Sequence, residues 1–235
     1  MTLLDMNLKL KEVITETSDT KTLIFEKPKE LEFKPGQFFS FRMECDGQFY
    51  NRSYSTSASP TDQDLTFTIK AIPNGKMSPL LCNLKPGAII PIKGPLGHFV
   101  FDDSEKRDVV FLCGGSGITP FRSMWRYILN KNLPNNIYLL YSVRTPDQII
   151  FSKEINELEP NPIFRPYITC TRLEEKGNWT GGMGRIDIPK IELFIGDVSN
   201  KVFYLCGGKE LTDSFTRMLE ELDVAKEDIK TERFY

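Results

Sequence analysis

Two rhythms of apolar and polar residues divide the chain. Over the first hundred residues, short apolar or β-branched runs alternate with turn residues, the pattern of an antiparallel all-β unit. In LTFTIKA, Leu65, Phe67, Ile69 and Ala71 fall on one face and Thr66, Thr68 and Lys70 on the other, the period of two expected of a half-buried strand. KPGQFFSF, NRSYSTSAS and GAIIPIK read as further strands, punctuated by Pro35-Gly36, Ser59-Pro60 and Pro86-Gly87. A small barrel or sandwich is expected from these pieces.

From residue 105 on, the rhythm changes. DVVFLC is a continuous apolar run, as a strand buried on both faces requires, and it leads through a glycine turn into PFRSMWRYILNKN. There Phe121, Met124, Trp125, Ile128 and Leu129 recur at helical spacing and make one apolar face. NIYLLYS, PIFRPYITC and KVFYLCG repeat the strand pattern, with helical stretches near 152–158 and 209–222. Strand and helix in alternation imply a doubly wound α/β domain with a parallel sheet. The polar tract FDDSEKRD marks the boundary, which predicts a β-barrel over 1–102 and an α/β domain over 103–235.

Composition narrows the function classes. A net charge of −2 gives no electrostatic support for nucleic-acid or membrane-surface binding. No apolar run reaches membrane-span length and the start lacks the apolar core of a signal peptide, so a cytoplasmic protein is expected. The 5 cysteines, Cys45, Cys82, Cys113, Cys170 and Cys206, stand singly, without a Cys-x-x-Cys pair. This spacing argues against a disulfide framework, a zinc site or a plant-type iron–sulfur run. With a single histidine, His98, no metal site is expected and a Ser/His/Asp triad is disfavoured.

Several short motifs carry candidate chemistry. In Asn51-Arg52-Ser53-Tyr54-Ser55 a guanidinium can hold a diphosphate, a phenol ring can pack on a heteroaromatic ring, and a hydroxyl can bond a ring nitrogen. The same residues also suit a plain edge strand. In Gly75-Lys76-Met77-Ser78-Pro79, Ser78 reads as a helix N-cap with Pro79 at the first helical position, either a phosphate cradle or an ordinary capped helix. Cys113-Gly114-Gly115-Ser116-Gly117-Ile118-Thr119-Pro120 lies between strand and helix, where glycines let backbone approach a pyrophosphate. Leu205-Cys206-Gly207-Gly208 ends a later strand, and the chain closes on Glu232-Arg233-Phe234-Tyr235, whose aromatics could shield a flat cofactor. Arg144 and Arg172 follow neighbouring strands and could reach an adenosine ribose, a placement that leans towards the 2′-phosphate of NADP over NAD.

Taken in order, RSYS, GKMS, GPLGHF, GGSGITP, CGG and the acidic-aromatic terminus resemble the ferredoxin-NADP reductase superfamily over essentially the whole chain. The resemblance implies a FAD-binding barrel, with Arg52, Ser53, Tyr54 and Ser55 on the flavin and its phosphates and Lys76, Met77 and Ser78 at the pyrophosphate. It also implies an NADP- or NAD-binding domain using Gly115, Gly117, Thr119, Pro120 and Gly207. Cys206 would lie near the nicotinamide, Glu232 near the flavin's reactive edge, and Phe234 or Tyr235 over the flavin. The implied activity is hydride transfer from NAD(P)H to bound FAD and electron release to an acceptor such as a ferredoxin-like carrier or a partner oxygenase. Two rival readings are a free-flavin reductase and a non-catalytic nucleotide-binding adapter.

Overall fold

The computed structural model describes residues 3–234, so Tyr235 lies outside the described residues. Two compact units form, one running to Asp103 and including Thr119–Asn132, the other made of Ser104–Ile118 and the chain from Leu133 on.

The first unit is a curled six-stranded antiparallel sheet. Its strands are β1 (Leu4–Thr17), β2 (Thr20–Glu26), β3 (Phe38–Cys45), β4 (Gln48–Ser55), β5 (Asp64–Lys70) and β6 (Ile89–Leu96), in the order β4-β3-β6-β1-β2-β5. The long β1 pairs with β6 through Leu4–Lys9 and with β2 through Leu10–Thr17, so one strand turns the corner of the sheet. A bridge from Thr56 to Phe67 brings the two edges together. Inside, Phe25, Phe39, Phe41 and Phe67 are fully buried and meet edge to face, the arrangement that aromatic quadrupoles favour.

β5 departs from its expected half-open face. Thr66 and Thr68 are buried at 9% and 4% exposure, because α2 (Thr119–Asn130) packs within this unit. Buried hydroxyls need partners. Thr68 Oγ1 lies 2.8 Å from Thr22 Oγ1 and donates to Ser57 Oγ, which lies 2.8 Å from Thr66 Oγ1. Arg122 donates to Ser57 O and Thr66 Oγ1. Further along α2, Ser123 donates to Ala58 O, and Arg126 grips Asp62 through two nitrogens. Gly36, at φ +98°, leaves the room that Met124 fills, since a Cβ there would lie 2.4 Å from its Cε.

The second unit is a parallel sheet. It contains β7 (Asp108–Gly114), β8 (Ile137–Val143), α3 (Ser152–Leu158), β9 (Phe164–Cys170), β10 (Gly182–Met183), α4 (Ile188–Ile195), β11 (Lys201–Gly208), α5 (Lys209–Glu221) and β12 (Ile229–Phe234). The strand order is β10-β9-β8-β7-β11-β12, with every neighbouring pair parallel. β7, β8 and β11 have interiors buried on both faces, as their continuous apolar runs require. Ile191, Ile195, Phe215 and Leu219 of α4 and α5 join Val110, Leu112, Phe203 and Leu205 in one core. β8 lies on one side of β7 and β11 on the other, so the chain reverses its winding between β7 and β11. In open α/β sheets, ligands bind beyond the strand ends at such a point. Among the described residues, no helix is long and apolar enough to cross a membrane.

Candidate functional sites at the barrel edge and the sheet switch point

In the first unit, β4 is an edge strand paired along its length with β3. Along it, Arg52 and Ser53 are exposed, Tyr54 is half-buried and Ser55 is buried at 6% exposure. The Arg52 guanidinium lies 5.8 Å from the Tyr50 ring centroid and donates to the carbonyl of Asn51. Its remaining donors make a bidentate grip available to an oxyanion. Tyr54 packs edge to face on Phe41, and burial pushes its phenol up to about 12, so it stays protonated and can act as a packing surface and a neutral donor.

The GKMS segment is arranged differently from its sequence pattern. α1 (Ser78–Cys82) begins at Ser78, the N-cap position falls on Met77 with no side-chain cap, and Pro79 sits within the first turn. Ser78 is not the cap because its Oγ accepts the Ile72 amide at 3.0 Å and holds the preceding turn instead. The Met77 side chain is spent in the barrel core at 2% exposure, while Lys76 is exposed and pairs with Asp46 at 2.8 Å. From this segment, then, only Lys76 presents a side-chain charge to solvent.

In the second unit, the glycine elbow after β7 is a 3₁₀ turn over Gly115–Ile118. Gly117 is held there by close approach: a Cβ would lie 2.3 Å from the carbonyl oxygen of Cys206. Gly115 takes φ +53°, and a Cβ on Gly114 would meet the Leu211 side chain at 2.4 Å. Tyr141, fully buried on β8, donates its hydroxyl to Gly115 O at 3.0 Å and accepts the Ile150 amide. Sequence reasoning missed Tyr141, since within an apolar strand nothing separates it from a core residue. Thr119 and Pro120, which follow the elbow, are both buried at the start of α2 and belong to the first unit.

Register brings three singled-out side chains into one row. Cys113 on β7 lies opposite Cys206 on β11, and Cys206 lies opposite Glu232 on β12. Burial raises the Cys206 thiol well above its usual range, with Glu232 and Cys113 adding to the effect, and burial alone does the same to Cys113. Both therefore stay as neutral thiols, apolar in character and unsuited to nucleophilic attack. Gly207 follows at φ +153°, and Phe234, half-buried, pairs with Gly208. At the ends of β8 and β9, the Arg172 amide donates to Arg144 O at 2.9 Å, so the two exposed arginines sit side by side. A cleft of about 670 Å³ along α5, lined by Arg185, Glu210, Asp213, Ser214, Thr216 and Arg217, contains none of these residues. His98 is exposed.

The residues present fit the two groups that the motifs imply. A dinucleotide pyrophosphate needs backbone free of Cβ atoms at a strand-to-helix turn, and Gly115 and Gly117 supply it at the switch point. A FAD diphosphate and ring need an accessible guanidinium beside an aromatic surface and a hydroxyl, and β4 supplies Arg52, Tyr54 and Ser55.

Comparison with known proteins gives two family matches, and the second runs through α2. Residues 7–101 match the oxidoreductase FAD-binding domain family and residues 111–217 the oxidoreductase NAD-binding domain family. The chain is 35% identical over 207 residues to the glycine betaine monooxygenase reductase subunit of Chromohalobacter salexigens, covering 86% of this chain and 56% of that protein. It is 32% identical over 201 residues to an NADPH oxidoreductase of Mycobacterium tuberculosis, covering 82% of this chain and 50% of that protein. The chain thus spans about half the length of these relatives. In fold, it is similar to a ferredoxin NADP+ reductase from Neisseria gonorrhoeae with bound FAD and NADP, at TM-score 0.84 and 23% identity over 100% of both chains. With one FAD-binding and one NAD-binding oxidoreductase domain in tandem, the chain belongs to the ferredoxin-NADP reductase superfamily.

Proposed function

We propose that this chain oxidises NAD(P)H through FAD and delivers the electrons to a separate acceptor, a ferredoxin-like carrier or an oxygenase component. The observation that carries the reading is the in-register row Cys113, Cys206 and Glu232 beside Gly117, whose Cα sits too close to Cys206 O to bear a side chain. Reductase subunits of monooxygenases among the relatives support the oxygenase acceptor.

FAD, when bound, would supply the redox chemistry of hydride acceptance and of electron release, singly or as a pair, which no side chain here can do. This chain's residues bind and orient. Arg52 and Lys76 hold phosphate charge, Tyr54 packs a ring face, and Ser53 and Ser55 offer hydroxyls at the barrel edge. Gly115, Gly117 and Gly207 leave backbone open to the pyrophosphate of the nucleotide, while Thr119 and Pro120, buried, start the helix that follows the elbow in the chain. Cys206, fully buried at the end of β11, keeps a neutral thiol in the strand that would lie beneath the nicotinamide, with Glu232 opposite it on the adjoining strand. Phe234, half-buried at the end of β12, is the aromatic that would move aside for the entering nucleotide. Arg144 and Arg172, adjacent at the strand ends, favour NADPH, because two guanidiniums suit a 2′-phosphate and the nearest acidic residue, Asp147, comes later.

Anaerobic titration of the purified yellow protein with NADPH and NADH tests cofactor, donor and reaction together. Bleaching of the flavin bands, more efficient with NADPH, is the expected result. A colourless protein that instead reduces added flavin would establish the free-flavin reductase reading. Bound FAD that neither donor bleaches would leave a nucleotide-binding adapter.

A further inference from the structure

We propose that the ion pair between Arg233 and Asp213 is a latch that positions Glu232 beside Cys206 and Phe234 at the end of β11. The proposal rests on the nucleotide-oxidising reading above. β12 is a six-residue edge strand whose strand pairing, among the described residues, is with β11 alone, so side-chain contacts add to what holds it in place. Along it Lys230, Glu232 and Phe234 are half-buried, whereas Thr231 and Arg233 are exposed, so Arg233 projects to the face opposite Glu232 and Phe234.

On that opposite face, Arg233 Nη2 reaches Asp213 Oδ1 at 2.5 Å. Asp213 stands on α5, which begins directly after the Gly207-Gly208 turn, and Lys209 also binds it at 2.7 Å. Both cations hold the Asp213 carboxyl below its usual range. α5 is itself seated on the glycine elbow, where Leu211 would clash with a Cβ on Gly114. One carboxylate therefore links β12 to the helix that leaves the candidate site. The Arg233 and Asp213 side chains are 51% and 30% exposed, so the pair is screened and weak, in keeping with a latch that opens in each cycle.

Hydrogen exchange on the FAD-loaded full chain, combined with titration of NADP⁺ and NAD⁺, tests the latch. Arg233→Ala should speed exchange in peptide 229–234 by about 1.5- to 5-fold, the range of an exposed ion pair, and leave peptide 201–206 unchanged. Oxidised nucleotide should bind tighter by a similar factor, because the loosened Phe234 competes less for the site. The exchanged pair Arg233→Asp with Asp213→Arg should restore both values towards wild type, an outcome that mere loss of packing cannot give. Unchanged exchange in peptide 229–234, or faster exchange with unchanged nucleotide affinity, overturns the latch. Failure of the wild-type chain to bind either nucleotide refutes the underlying reading instead.

Discussion

Gly117 and Arg52 show how differently single residues can matter to the two candidate sites. At Gly117 the obstacle to any side chain is backbone, the Cys206 carbonyl at 2.3 Å, which cannot swing away as a flexible side chain can. Gly117→Ala should therefore cost about 1–3 kcal/mol, the usual penalty of overpacking, and weaken NADP⁺ binding as the elbow moves. Urea unfolding and nucleotide titration check both effects, and a variant unchanged in both would show that the elbow relaxes freely. Arg52 is the opposite case. It is exposed, and among the described residues its contacts are its neighbour's carbonyl and the Tyr50 ring face, so Arg52→Ala should change stability by less than about 0.5 kcal/mol. Its loss should instead remove charge-assisted hydrogen bonds to a bound diphosphate, about 1.5–3 kcal/mol, or roughly a 10- to 150-fold fall in FAD affinity. FAD retention on gel filtration equal to wild type would take Arg52 out of the site. Both residues were legible in the sequence because their motifs are local. Tyr141 and Asp213 were not, because each acts through a partner that only the fold brings near.

At the scale of elements, long apolar patterns were readable and short partnered ones were not. β7, β8, β9, β11, α2, α3 and α5 correspond to runs whose periodicity was plain in the chain. β12 went unread as a strand because IKTERF carries three charges and becomes a strand only by pairing with β11. β5 was read as half-open because its threonines are polar, yet a second layer buries them through hydroxyl pairing. The same β12 is anchored at its start by Arg107, which binds Asp228 at 2.6 Å and Glu105 through two nitrogens. The Arg107 guanidinium holds the Glu105 carboxyl down at about 2, against an ordinary 4.5. A depressed carboxyl stabilises the fold above its unfolded value and loses that contribution as pH falls from about 4.5 towards 2. With Arg107 and Glu105 side chains 31% and 16% exposed, screening reduces the term to about 1–2 kcal/mol. Arg107→Ala should accordingly be less stable than wild type at neutral pH and lose less on acidification. Urea midpoints from pH 6 to pH 2.5 measure this, and parallel curves for the two proteins would refute it.

For the whole molecule, the telling element is α2, which follows the glycine elbow in the chain but groups with the barrel in its contacts. Its apolar face was evident from spacing alone, whereas what that face lies on depends on partners distant in sequence. Those partners are explicit in the structure: Ser123 bonds Ala58 O, Arg122 bonds Ser57 O, Arg126 grips Asp62, and Met124 fills the space over Gly36. A ligand that binds only the folded state stabilises it by RT ln(1 + [L]/Kd), about 2.7 kcal/mol at a hundredfold excess over Kd. FAD bound at β4 should stabilise the unit that contains β4, so exchange should slow in the barrel strands and also in the body of α2, residues 123–130. NADP⁺ bound at the elbow should slow exchange chiefly in β7, β8 and β11, and leave residues 123–130 nearly unchanged. Comparing the apoprotein with each ligand added singly separates these effects, since removing FAD should release α2 together with β3 and β4. Protection of residues 123–130 by NADP⁺ but not by FAD, with the barrel strands still responding to FAD, would show that the helix follows the chain's order rather than its contacts.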